Sequence, residues 1–179
     1  MIALYIVIGL FILFMILWMI GPKEYAVDRT MVVNRNRQDV YDYVRRLENQ
    51  DQWGPWSRRD PAMEKSTHGE DGNVGFVSAW RGNKQVGEGE QEITRLVPNE
   101  RVETSLRFFK PWKAESDAFI HLEDAGENAT RVTWGFKGEN KNAVSRVMGV
   151  FMDMDKAIGK DFEEGLHNLK GILEERKKD

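Results

Sequence analysis

The sequence has 179 residues and sets 26 Lys and Arg against 29 Asp and Glu, a near balance with no basic stripe of the kind a nucleic-acid partner would require. It contains no cysteine, so disulfides and thiol chemistry are excluded. Less its apolar N-terminal run it leaves about 155 residues, enough for one domain with a substantial core.

Residues Ile2 to Ile20, IALYIVIGLFILFMILWMI, carry no charge. As a helix at about 1.5 Å per residue they span roughly 28 Å, close to the ~30 Å hydrocarbon core of a bilayer. Tyr5 and Trp18 sit near the two ends, where amphipathic rings favour the membrane–water interface, and Gly21-Pro22 breaks the helix. The run lacks the basic start, short apolar stretch and small-residue cleavage site of a signal peptide. A single-pass anchor over residues 1–22 is therefore expected, followed by one folded domain over 23–179. Lys23, Arg29, Arg35 and Arg37 follow the anchor, and the positive-inside tendency puts that domain in the cytoplasm.

Tyr25 to Asn34 alternates as a strand. Asn34 or Asn36 is placed to cap a short amphipathic helix in RQDVYDYVRRLEN, where Val40, Tyr43, Val44 and Leu47 recur at helical spacing. In QDQWGPWSRRDP, Trp53 and Trp56 are too apolar for an exposed loop and are expected to pack down.

From Met63 to Lys137 strands and turns alternate. VGFVSAW (Val74–Trp80), QVGEGEQEITRLVP (Gln85–Pro98), ERVETSLRFFKP (Glu100–Pro111), SDAFIHLEDAG and TRVTWGFKGEN are joined by short turns, the pattern of an antiparallel meander. Gly87 and Gly89 share a parity, which points to a bend or a close approach of backbones. From Asn142 onward, Val144, Met148, Phe151, Ile158, Phe162, Leu166, Leu169 and Leu173 recur every three or four residues, with a break possible near Asp153 and a cationic end in EERKKD. A sheet with one buried face and one long amphipathic helix pack in one way, with the sheet curled around the helix.

That order, with VVNRNRQDVYDYVRRLENQDQW and WGPWSRRDP, ATRVTWGFKGEN and MGVFMDMDKAIGKDFEEGLHNLK, resembles the START-like helix-grip (SRPBCC) superfamily, and within it the polyketide cyclase/dehydrase and lipid-transport branch in its membrane-anchored bacterial form. The resemblance covers about Tyr25 to Leu173 and implies an α+β helix-grip fold with a cavity between sheet and C-terminal helix for lipids, polyketides or other apolar molecules. Its motifs are mostly packing residues, and Arg35-Asn36-Arg37 stands where many members have a Pro-rich stretch.

Trp80, Leu106, Phe108, Ile120, Trp134, Met148, Phe151 and Met152 are the candidate apolar lining, with Gln91 and Thr104 as polar groups. By pattern alone such a stripe fills a core; by the resemblance it lines a cavity, with Trp134 bordering unfilled volume. Gly149, Gly159 and Gly165 in the C-terminal helix mark either room, a bend or close packing. Catalytic signals are thin. His68, His121 and His167 lack metal-ligand spacing, no nucleophile elbow is present, and Asp153, Asp155, Asp161, Glu163 and Glu164 read as a solvated helix face. The expectation is a membrane-tethered, cofactor-free binder of an apolar small molecule or lipid. A cyclase or aromatase, and a closed-core interaction module, are its rivals.

Overall fold

A computed structural model describes residues 1–175; the cationic end, Arg176 to Lys178, lies outside the described residues. The apolar run forms one helix, α1 (Ile2–Ile20), with no buried residue, long and apolar enough to cross a membrane. Gly21 ends it, and β1 (Glu24–Val33) follows directly.

The segment expected as one amphipathic helix is two. Asn36 caps α2 (Arg37–Val44), its side-chain oxygen accepting from Asp39 N–H at 2.9 Å. The chain then turns at Arg45-Arg46 and starts again as α3 (Leu47–Trp53). The second start is capped from a distance: the Asp71 carboxylate accepts from Leu47 and Glu48 N–H at 2.8 and 3.3 Å. No local pattern announces such a cap. A one-turn helix, α4 (Trp56–Arg59), completes this layer.

Six further strands, β2 (Glu64–His68), β3 (Val77–Arg81), β4 (Glu88–Val97), β5 (Arg101–Lys110), β6 (Ala114–Asp124) and β7 (Thr130–Glu139), join β1 in a curved antiparallel sheet ordered β1-β7-β6-β5-β4-β3-β2. Val74 to Phe76 stay outside β3, and β2 is exposed along its whole length. Gly126 and Asn128, both at positive φ, make the β6–β7 turn.

The C-terminal segment is α5 (Ala143–Phe151) and α6 (Met154–Glu175). Asn142 and Ser145 form a reciprocal capping box at the start of α5. The break falls at Met152-Asp153, where the Asp153 carboxylate accepts from Lys156 N–H at 3.1 Å and so restarts the helix. Only α6 is gripped by the sheet. It packs along β1 and β7, burying Phe162, Leu166, Leu169 and Leu173, while α2 covers β6. α5 buries nothing and packs instead against α1. Met148, Phe151 and Met152, expected in the sheet–helix seam with Val144, are all exposed.

Of the carboxylates expected on a solvated face, Asp153, Asp155, Glu163 and Glu164 are exposed, and Asp161 alone departs from that reading. Asp161 is buried and forms a two-bond pair with Arg59 of α4 (one contact 2.9 Å). Asp155 and Glu163 both hold Arg29 of β1, at 2.7 and 2.8 Å, and Glu164 holds Arg58 at 2.8 Å. These carboxylates clamp α6 to the rest of the domain.

Candidate functional site: the concave face of the sheet

Directly paired residues of an antiparallel ladder point to the same face. The register therefore orders the concave face into rows. Trp134 pairs with Ile120 on one side and Arg29 on the other; Phe136 pairs with Ala118 and Val27. Nearer the α1 end, Gln91 pairs with Leu106, Leu106 with Ser116, and Ser116 with Gly138, which pairs with Tyr25. The last row holds Trp80, Gly89 and Phe108.

The two parts of this face differ in cover. Around Trp134 it is filled. Trp134 is 3% exposed and meets Trp53, Trp56 and Phe162 edge to face, with centroids at 4.6, 5.5 and 4.4 Å. A Cβ on Gly165 would collide with the same ring. The expectation that Trp134 borders unfilled volume is thus overturned, because Trp53 at the end of α3 and Trp56 at the start of α4 close over it. The helix glycines serve close packing: Gly159 lies against the Arg29 guanidinium and Gly149 against Pro22.

α6 packs along β1 and β7, whereas much of the rows nearer α1 is carried by β3, β4 and β5. Here Trp80, Gln91, Leu106 and Phe108 are half-buried. Trp80 and Phe108 meet edge to face at 5.8 Å, and Gly89 sits beneath the indole, where a Cβ would strike the ring. Trp80 donates its indole N–H to Val86 C=O at 3.4 Å. Polar groups in the trough are mutually satisfied: Gln91 donates to Thr104 Oγ1 at 3.0 Å, and the Tyr25 and Ser116 hydroxyls share a 3.0 Å bond. Tyr25 and Ser116 were not singled out from sequence, although each has the parity of buried neighbours, Val27 and Ala118. Thus Trp80, Gln91, Leu106, Phe108, Ile120 and Trp134 share one face, and Met148, Phe151 and Met152 stand apart from it.

Among the described residues, two pockets open at the surface lie away from the space between sheet and α6. One, of about 510 Å³, is lined by Trp18, Lys23, Glu139 and Arg146 where α1 meets α5. The other, of about 360 Å³, is lined by Arg101, Glu103, Phe119 and His121. Several displaced titrations belong to ion pairs: Lys110 holds the Glu88 carboxyl below its ordinary value and Arg29 does the same for Asp155, while burial raises the Tyr41 phenol. Among the described residues no group of His, Asp or Glu is placed to hold a metal.

A family model described as polyketide cyclase/dehydrase and lipid transport matches residues 25–174. A crystal structure of a Chromobacterium violaceum protein superposes with a TM-score of 0.59 at 14% identity, covering 83% of this chain and 96% of that one. The Aha1 dimer from Colwellia psychrerythraea gives 0.56 at 19%, covering 83% and 96%, and major latex-like protein 151 from Panax ginseng gives 0.54 at 14%, covering 85% and 99%. At these identities the likeness is one of fold. No curated protein matches the sequence.

Proposed function

The chain belongs to the polyketide cyclase/dehydrase and lipid transport family, and from that premise we propose that it is a membrane-tethered, non-enzymatic domain that binds an apolar small molecule or lipid. In this reading α1 is the tether, the domain faces the cytoplasm, and the ligand lies in the uncovered rows of the concave face. One observation carries it: α6 packs along β1 and β7 and α5 packs against α1, and Trp80, Leu106 and Phe108 on β3 and β5 remain a half-exposed apolar surface. Apolar walls with a few fixed polar groups are what an apolar ligand needs, and Gln91, Thr104, Tyr25 and Ser116 supply the polar part. Met148, Phe151 and Met152 are assigned no direct part in this trough.

The filled Trp53–Trp134–Phe162 cluster favours a second reading, in which the domain is a closed-core interaction module. The two are separated by native mass spectrometry of the detergent-solubilised full-length protein together with titration of an apolar fluorescent probe. Ligand binding predicts a co-purified apolar molecule and probe binding that is lost in Phe108→Asp. A probe that fails to bind, or that binds Phe108→Asp as it binds the natural chain, with no co-purified molecule, leaves the module.

A further inference from the structure

The register puts several features at one end of the sheet. Glu24 pairs with Glu139, Ser116 with Gly138, and Glu88 with Lys110, so the start of β1, the end of β7, and the β5–β6 and β3–β4 turns are all at the end that α1 enters. The Trp80–Gly89–Phe108 row lies at that end too. α5 is fastened at the same place. Arg146 donates to Gly21 C=O at 3.1 Å and lies over the Trp18 ring at 5.5 Å. Side chains on Gly21 and Gly149 would strike the Arg146 carbonyl and Pro22.

On its free side α5 presents Val144, Met148 and Phe151, spaced to share one face, with Met152 following. They are 64%, 46%, 70% and 45% exposed. At the β5–β6 turn, Trp112 is 74% exposed. Exposed apolar groups gathered on an amphipathic helix and a turn tryptophan are a strong departure from a water-facing surface. Lys23, Lys141 and Arg146 line the pocket where α1 meets α5, together with Glu24 and Glu139, and the three cations suit a headgroup layer at the end of α1.

We propose that the apolar face of α5, with Trp112, lies in the interfacial layer of the bilayer, continuous with the last turn of α1, and holds the mouth of the trough against the lipid. The inference rests on the reading of α1 as a membrane span. It assigns the break at Met152-Asp153 a purpose: one half of an amphipathic pattern serves the core and the other serves the membrane surface.

The test uses the full-length chain, which has no native cysteine, reconstituted into phosphatidylcholine/phosphatidylglycerol vesicles. Single cysteines at Leu10, Phe151, Trp112 and His121 are labelled with an environment-sensitive fluorophore and exposed to lipid-borne quenchers at shallow and deep positions. The expected result is that Leu10→Cys loses its emission to the deep quencher, Phe151→Cys and Trp112→Cys lose most of theirs to the shallow one, and His121→Cys is unaffected. A quenched Leu10 probe with Phe151 and Trp112 probes as water-accessible as His121 overturns the inference and leaves the tether intact. An unquenched Leu10 probe removes the tether and the inference with it. Protection of the Phe151 probe that disappears on dilution into excess lipid assigns the face to a second copy of the chain, and equally overturns it.

Discussion

Trp134 and Gly165 touch across the sheet–helix seam so closely that α6 accepts no Cβ at that position. Alanine ordinarily favours a helix over glycine by about 1 kcal/mol, but here the methyl has to displace a ring clamped by Trp53, Trp56 and Phe162. Overpacking of about 1–3 kcal/mol outweighs the propensity gain. Gly165→Ala is therefore expected to lower stability in denaturant titration, and an unchanged or raised midpoint would show that the ring has somewhere to go.

Trp134→Ala is expected to cost about 3–5 kcal/mol, the full truncation cost of a buried aromatic. A cost well under that range would mean that the surrounding tryptophans collapse into the space or that the space was never filled.

Removing Arg59 strands the buried carboxylate of Asp161. Because Arg59 is itself partly exposed, water offsets part of the loss, and Arg59→Ala is expected to cost about 1–3 kcal/mol. Arg59→Ala combined with Asp161→Asn should recover part of it. A double variant as unstable as the sum of its singles would show that the pair is not coupled.

Asp155 beside Arg29, Asp153 beside Lys156 and Glu174 beside Lys170 all have carboxyls below their ordinary values in the folded state. Groups with depressed folded values contribute stability that is complete above the unfolded values, near 4, and is lost as pH falls through the folded ones. The thermal midpoint is thus expected to be flat from neutral pH to about 5 and to drop below about 4. In Asp155→Asn with Glu174→Gln the drop should be shallower, read by melting across that range. An identical acid limb in natural chain and variant would remove these pairs from the account.

Leu106 is half-buried in the uncovered rows, so Leu106→Ser should cost less than the 2–5 kcal/mol of a core truncation, roughly 1–1.5 kcal/mol. Under the ligand-binding reading it should also weaken apolar-probe binding. Core-level destabilisation by chemical melt would place Leu106 in the closed core.

Much of the fold was legible because its signals are local. Period-two alternation marked the long strands, and their short turns dictated an antiparallel meander. Asn34 or Asn36 ahead of an amphipathic run marked a helix start, which the structure places on Asn36, and nineteen uncharged residues marked α1. What the sequence could not decide was which partner each apolar face would meet. Met148 and Phe151 fall at the spacing of Phe162 and Leu166, so even with a break near Asp153 the pattern puts both on the gripped face. The Asp153 cap breaks it, and the contacts of Arg146 and Gly149 hold the first part on α1, with its apolar face away from the sheet. Asp161 reads like Glu163 and Glu164 until α4 brings Arg59 to it, and Trp134 reads as a cavity wall until Trp53 of α3 and Trp56 of α4 fold over it. Spacing along a chain fixes which residues share a face. What that face buries against depends on elements remote in sequence, and only the assembled tertiary structure brings them together.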